Sequence, residues 1–233
     1  MKIRRSFNVR GMLFAGLMLT SAFDALAQQP FYNLDFESAT GIPDRPGPQG
    51  YYSLDARKAL PSWNAFIRGH PDLWLTHNYH DDAVPGVALF GPAPFGPGDE
   101  QFSIGLKAGI LPFIGNVGAS IAQTGQVPWD ALSLQLRIHP GGENFSVALG
   151  GTAIPLVSLS MTDNYILYGG DVSAFAGMTK ELTIAVHGGE SRVILDSIAF
   201  SPVPVPDPAS ALILVFGCVF LVALKIRKRM QRG

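Results

Sequence analysis

Between positions 132 and 139 the chain reads LSLQLRIH, in which Leu132, Leu134, Leu136 and Ile138 alternate with Ser133, Gln135, Arg137 and His139. A period of two sends successive side chains to opposite faces of an extended strand, so the aliphatic set predicts a buried face and the polar set a face in solvent. The turn PGGEN follows, then FSVAL with Phe145, Val147 and Leu149 in phase, then Gly150 and Gly151 ahead of a further run over 152–159. Two glycines between alternating runs suit a two-residue hairpin turn with positive φ. Further strands are expected at 102–106, 119–123, 165–168, 180–187 and 192–200. The 26 Gly and 18 Pro among 233 residues exclude a long-helix or coiled-coil protein and favour many short elements joined by turns. No long amphipathic helix and no internal repeat stands out. Short strands at this spacing predict an all-β sandwich or barrel, and residues 28–206 are enough for one domain with a substantial core.

The formal charge of −1 averages three unlike segments. Lys2, Arg4, Arg5 and Arg10 open the chain, and Lys225, Arg227, Lys228, Arg229 and Arg232 close it. Residues 28–206 keep eight basic against sixteen acidic residues, a formal charge of −8. An acidic middle excludes nucleic acid as the partner, because neutralising phosphates takes clustered Lys and Arg.

Both ends read as addresses. The basic start, the apolar run GMLFAGLMLTSAF and the small residues of Ala25-Leu26-Ala27 before Gln28 have the three-part layout of a secretory signal peptide over 1–27, with cleavage between Ala27 and Gln28. The alternative is an uncleaved anchor, yet thirteen residues span only ~20 Å as a helix against a hydrocarbon core of ~30 Å. At the other end, Pro-rich SPVPVPDP precedes an uncharged run over 209–224, expected to form a single transmembrane helix, and the basic stretch 225–233. Sixteen residues make ~24 Å, marginal for a span unless Lys225 and Arg227 snorkel. Basic residues beyond the span hold that end in the cytoplasm and leave the middle region outside. The lone Cys218 lies within the apolar run and reads as a small apolar residue. The middle region has no Cys, so an exported domain here holds together without disulfides.

The motif VPDPAS, the short apolar run and the terminal basic cluster together resemble the PEP-CTERM sorting signal of Gram-negative bacteria. That family carries Pro-Glu-Pro; here Pro206-Asp207-Pro208 keeps the carboxylate on a side chain one methylene shorter. The resemblance implies recognition and removal of the tail by a membrane exosortase in an exopolysaccharide-producing cell, with a retained single-pass anchor as the alternative. It also implies delivery to the cell envelope, outer surface or extracellular matrix. NLDFES followed by LPSW resembles the opening half of a galactose-binding-like jelly-roll sandwich, and DVSAFAGMTKELTIAV followed by VILDSIAF its closing half. The expected layout is a signal peptide over 1–27, a β-sandwich over 28–201, a Pro-rich linker with the sorting motif over 202–208, a transmembrane helix over 209–224 and a basic tail over 225–233.

Three groups of residues are candidates for chemistry. Domains of the resembled fold often hold a structural Ca2+ between their first and last strands. Asp35 and Glu37, which alternate with Leu34 and Phe36, and Asp196 in the final strand would supply hard oxygen ligands; ordinary exposed acids are the alternative. His77 and His80 in HNYHDD, with Asp81, Asp82 and distant His70, are a weaker zinc set, because without a helix this spacing does not put two imidazoles on one face. A polar loop rim fits that stretch better. Aromatic rings offer flat apolar faces for sugars; Trp74 and Tyr79 are the candidate ligand-binding pair, whereas Trp63 is expected in the core and Trp129 over a sheet edge. No nucleophile elbow, phosphate loop or zinc-protease signature occurs in the sequence. The expected protein is therefore a non-enzymatic envelope or matrix component with a structural or carbohydrate-binding role. The partners implied are signal peptidase, exosortase, the membrane through the C-terminal helix, and glycans. The alternatives are a small polysaccharide-active enzyme and a membrane-retained surface protein.

Overall fold

The computed structural model describes residues 29–42, 52–78, 84–92, 101–142 and 144–206. The expected signal peptide, Asp207 and Pro208 of the sorting motif, the expected transmembrane helix and the basic tail lie outside these residues, as do Tyr79, His80, Asp81 and Asp82. Among the described residues no helix is long and apolar enough to cross a membrane.

The described residues form β1 (Tyr52–Asp55), α1 (Ala56–Ala59), β2 (Asn64–Ile67), β3 (His70–Asp72), β4 (Trp74–His77), β5 (Gly86–Phe90), β6 (Ser103–Lys107), β7 (Gly109–Leu111), β8 (Gly115–Val117), β9 (Ala119–Gln126), β10 (Ser133–Ile138), β11 (Phe145–Leu149), β12 (Thr152–Ala153), β13 (Val157–Met161), β14 (Ile166–Asp171), β15 (Thr179–Val186) and β16 (Arg192–Ser201). One sheet runs β1-β4-β5-β6-β16-β10-β14-β13, a second β12-β11-β15-β9-β2-β3, and β7-β8 is a separate hairpin. Neighbours pair antiparallel except β4 and β5. The two large sheets pack face to face. Leu75, Leu89, Ile104, Leu106, Leu134, Leu136 and Leu195 from the first and Ile121, Val147, Leu149, Leu182 and Ile184 from the second share one fully buried core. Each aliphatic removed from water contributes about 1.5–3 kcal/mol, which lets a domain without Cys stay folded.

The alternating runs became strands where expected, with shifted ends. Gly150 and Gly151 make the hairpin turn at φ of 58° and 77°, joining Leu149 to its partner Thr152. Four expectations change, the first at Leu132, which the alternation groups with the buried aliphatics but which lies ahead of β10 and is exposed. The run 152–159 is not one strand: β12 ends at Ala153, and Ile154-Pro155-Leu156 carries the chain to the other sheet, where β13 begins. Proline offers no N–H to a ladder, which suits a crossing point. Ser133 is fully buried rather than in solvent, because the C-terminal segment lies over it and its hydroxyl donates to the Val203 carbonyl at 2.7 Å. Residues 33–38 form a turn, not a first strand, with Asn33 and Phe36 at φ of 53° and 63°. Phe36 turns into the core against Trp63, ring centroids 5.9 Å apart, and the Trp63 indole N–H donates to the Asn33 carbonyl at 3.0 Å.

Candidate functional site

β4 starts where the chain crosses from the second sheet to the first. The Trp74 N–H donates to the Asp72 carboxylate at 3.2 Å, and the Ala56 N–H to the Leu73 carbonyl at 3.0 Å, so the backbone at the crossing is fixed. Leu75 faces the core, so period two turns Trp74 to the outer face of the eight-stranded sheet, where it is 60% exposed. Its register partner on β1 is Asp55. That carboxylate caps α1 and is gripped by Arg57, accepting from its backbone N–H at 3.0 Å, its Nε at 3.1 Å and a terminal guanidinium nitrogen at 2.8 Å. The guanidinium hydrogen bond holds the Asp55 carboxyl below its usual range and raises Arg57. An exposed indole beside an oriented carboxylate and guanidinium pairs a flat apolar face with donors and acceptors for hydroxyls, the chemistry that recognises a sugar ring.

A second feature lies at the end of the sandwich where β6 ends and β16 begins. A cleft of about 820 Å³ is lined there by Lys107, Asn144, His187, Glu190, Ser191 and Arg192 together with glycines 141, 188 and 189. Lys107 is only 4% exposed, whereas Arg192 and His187 lie in solvent. The Asn144 amide donates to the Ser191 hydroxyl at 3.2 Å, which donates to the Gly188 carbonyl at 2.8 Å, bracing the 187–191 turn as a fixed wall. Ser146 Oγ lies 2.6 Å from His187 Nε2.

The remaining sequence candidates fall as follows. Asp35 is exposed and accepts from the Glu37 N–H at 3.2 Å, Glu37 accepts from the Phe102 N–H at 2.8 Å, and Asp196 is buried in β16. The turn does adjoin the last strand, through Ile198 N–H to the Leu34 carbonyl at 2.9 Å. Even so, among the described residues no group of three or more His, Cys, Asp or Glu side chains is placed to hold a metal, so the structure does not assemble Asp35, Glu37 and Asp196 into a calcium site. His77 is not on a loop rim: it ends β4, is buried, and its Nε2 lies 2.6 Å from the Gly91 carbonyl. His70 lies in the other sheet. Trp63 is in the core as expected. Trp129 is 80% exposed, with one edge of its indole against Gly177, where a Cβ would meet ring carbons at 2.6 Å. The sequence reading missed Lys107 and Arg192, and their alternation with core aliphatics was the signal available.

No protein-family model matches the chain, and no curated protein does. Among solved structures, a family 11 carbohydrate-binding module from Clostridium thermocellum, in complex with a β-1,3-1,4-mixed-linked tetrasaccharide, aligns over 64% of this chain and 93% of its own at 10% identity and a TM-score of 0.32. A likeness of that size carries neither a fold nor a ligand across to this chain.

Proposed function

We propose that this is an exported, non-catalytic carbohydrate-binding β-sandwich of the galactose-binding-like jelly-roll kind, carried to the envelope or matrix by a PEP-CTERM-like tail. The observation that carries it is Trp74, a bulky apolar ring kept in water on the outer face of a sheet beside the oriented Asp55–Arg57 pair. The exposed ring leaves a flat apolar face on which a sugar could stack, with the Asp55–Arg57 pair offering hydrogen-bond partners for its hydroxyls. Glycan binding by the purified chain is expected to drop at least about tenfold in Trp74→Ala, a loss of 1.4 kcal/mol or more, with an unchanged thermal melt. Undiminished binding in that variant would overturn the site, and turnover of any polysaccharide would overturn the non-catalytic reading. For the tail, intact-mass measurement on protein from the native cell is expected to show loss of the residues beyond about Pro208.

A further inference from the structure

The β7–β8 hairpin leaves the sandwich at the end where β6 stops and β9 and β16 start, and among the described residues its two strands pair only with each other. Its base is tied to that end. The Ala108 N–H donates to the Ser191 carbonyl at 2.8 Å, the Arg68 N–H donates to the Gly118 carbonyl at 3.0 Å, and Gly118 lies against the Val186 carbonyl with no room for a Cβ. Beyond the base, Ile110, Phe113 and Ile114 are 57%, 109% and 47% exposed, and none of them belongs to the core. Asp, Glu, Lys, Arg and His are absent from the whole of 108–129, so the tip offers water nothing ionic. Phe113 also holds a left-handed φ of 66°, a conformation that an aromatic residue adopts at a cost and that marks functional turns. Apolar side chains scattered singly on a surface need no explanation, whereas three gathered on one projecting turn form a contact surface.

The chain leaves the domain toward the same end. Ser133 and its partner Ser201 mark the opposite end of the eight-stranded sheet. From there the C-terminal segment doubles back: the Ser133 hydroxyl donates to the Val203 carbonyl at 2.7 Å, and Val205 lies against Gly169, whose partner on β10 is Gln135, two residues nearer the hairpin end. Ile138, the last residue of β10, lies three residues further on, ~10 Å along the strand. Pro206 and Ala209, the first residue of the uncharged run 209–224, are likewise three residues apart, a reach of ~10 Å at most. A bilayer entered by that run therefore lies close to Pro206, and the hairpin projects from the end toward which 203–205 run. Trp129 is exposed at the other end, but one edge of its ring rests on Gly177 and the chain runs away from it.

We propose that the β7–β8 hairpin seats this domain on a lipid bilayer, with Ile110, Phe113 and Ile114 in the boundary between headgroups and acyl chains, while 209–224 anchors the chain in the same bilayer. The inference rests on the reading of 209–224 as a membrane span and adds which surface of the domain faces the lipid. Three side chains bury too little area to hold a protein on a membrane alone, so the contact forms because the anchor keeps the hairpin near the bilayer, and it lapses once the tail is removed. Until then it keeps the motif at 206–208 at the membrane surface, where a membrane-embedded processing enzyme would meet it. The test reconstitutes the full chain carrying Phe113→Trp into phosphatidylethanolamine–phosphatidylglycerol vesicles, with and without bromine on the acyl chains, and reads its emission against the wild type, whose Trp63, Trp74 and Trp129 lie elsewhere. The added emission is expected to lie to the blue of an indole in water and to lose at least about half its intensity to the brominated chains, as a ring ~5–10 Å into the boundary would. Ile114→Asp in the same chain is expected to return the ring to water and remove the added quenching, with an unchanged thermal melt because the hairpin lies outside the core. Added emission at the wavelength of an exposed indole overturns the inference, while flotation of the chain with the vesicles keeps the anchor. A blue shift without quenching assigns the ring to a protein surface, and quenching confined to the wild-type tryptophans seats another face on the bilayer; either overturns the inference. A chain that does not float with the vesicles overturns both readings, and flotation that Ile114→Asp abolishes keeps the hairpin contact and overturns the anchor.

Discussion

Phe113 stands at the tip of the β7–β8 hairpin with its ring wholly in water and its backbone at a φ of 66°. That conformation costs a bulky residue about 1–2 kcal/mol, and no packing offsets it. Phe113→Asn keeps a side chain that tolerates left-handed φ and is expected to raise folding stability by up to about 1 kcal/mol, read as a higher denaturation midpoint. A clear loss would mean that the ring packs in solution. Tryptophans show how far single residues can be read: Trp63 follows Pro61-Ser62, Trp129 follows Pro128, and Trp74 opens a four-residue strand. The first is buried and the others are exposed, a difference set by what each ring meets in the fold and not by its neighbours in sequence.

Element by element, period two does most of the work. Along β16 the core positions Val193 and Leu195 give way to Ile198, one residue out of phase, and the ladder accommodates this with a bulge: Ile138 pairs with Leu195 but Arg137 with Ser197, leaving Asp196 as the extra residue. That phase slip is present in VILDSIAF. Less regular runs concealed their strands. β2 and β4 have four residues each, too few for a periodic signal. Ile184 lies in β15 between β11 and β9 with no exposure, so Ile184→Ala is expected to cost about 2–5 kcal/mol in chemical unfolding. The same truncation at exposed Met161 should change stability by less than about 0.5 kcal/mol, and a similar cost at both sites would contradict the assigned sheet faces.

For the whole molecule, charge and the C-terminal segment matter most. The Asp55 and Asp171 carboxyls are both held below their usual range, Asp55 chiefly by the Arg57 side chain and Asp171 chiefly by the Ser173 backbone N–H at 2.8 Å. A folded-state pKa below the unfolded one contributes stability that is fully present above the unfolded value and is lost as pH falls through the folded value. Thermal melts are therefore expected to be insensitive to these two groups near neutrality and to decline through and below the ordinary Asp range, with a shallower decline in Asp171→Asn. After β16 the chain turns back over the outer face: Val203 reaches Ser133, and Val205 reaches Gly169, where an added Cβ would lie 3.2 Å from its side chain. Pro206, the first residue of the sorting motif, thus follows directly on a docked segment.

The sequence by itself determined the class of fold, because alternation of apolar and polar residues and paired glycines are local properties that one strand and one turn already express. It also isolated the acidic middle region from the basic ends, since charge is a count. What only the tertiary structure decided were relations between distant segments. These include the turn that seats Phe36 against Trp63 and the dispersal of Asp35, Glu37 and Asp196. The physical reason is register: period two tells each strand which face a side chain takes, but which strand lies beside it, and at what level, is set by pairings between residues far apart in the chain.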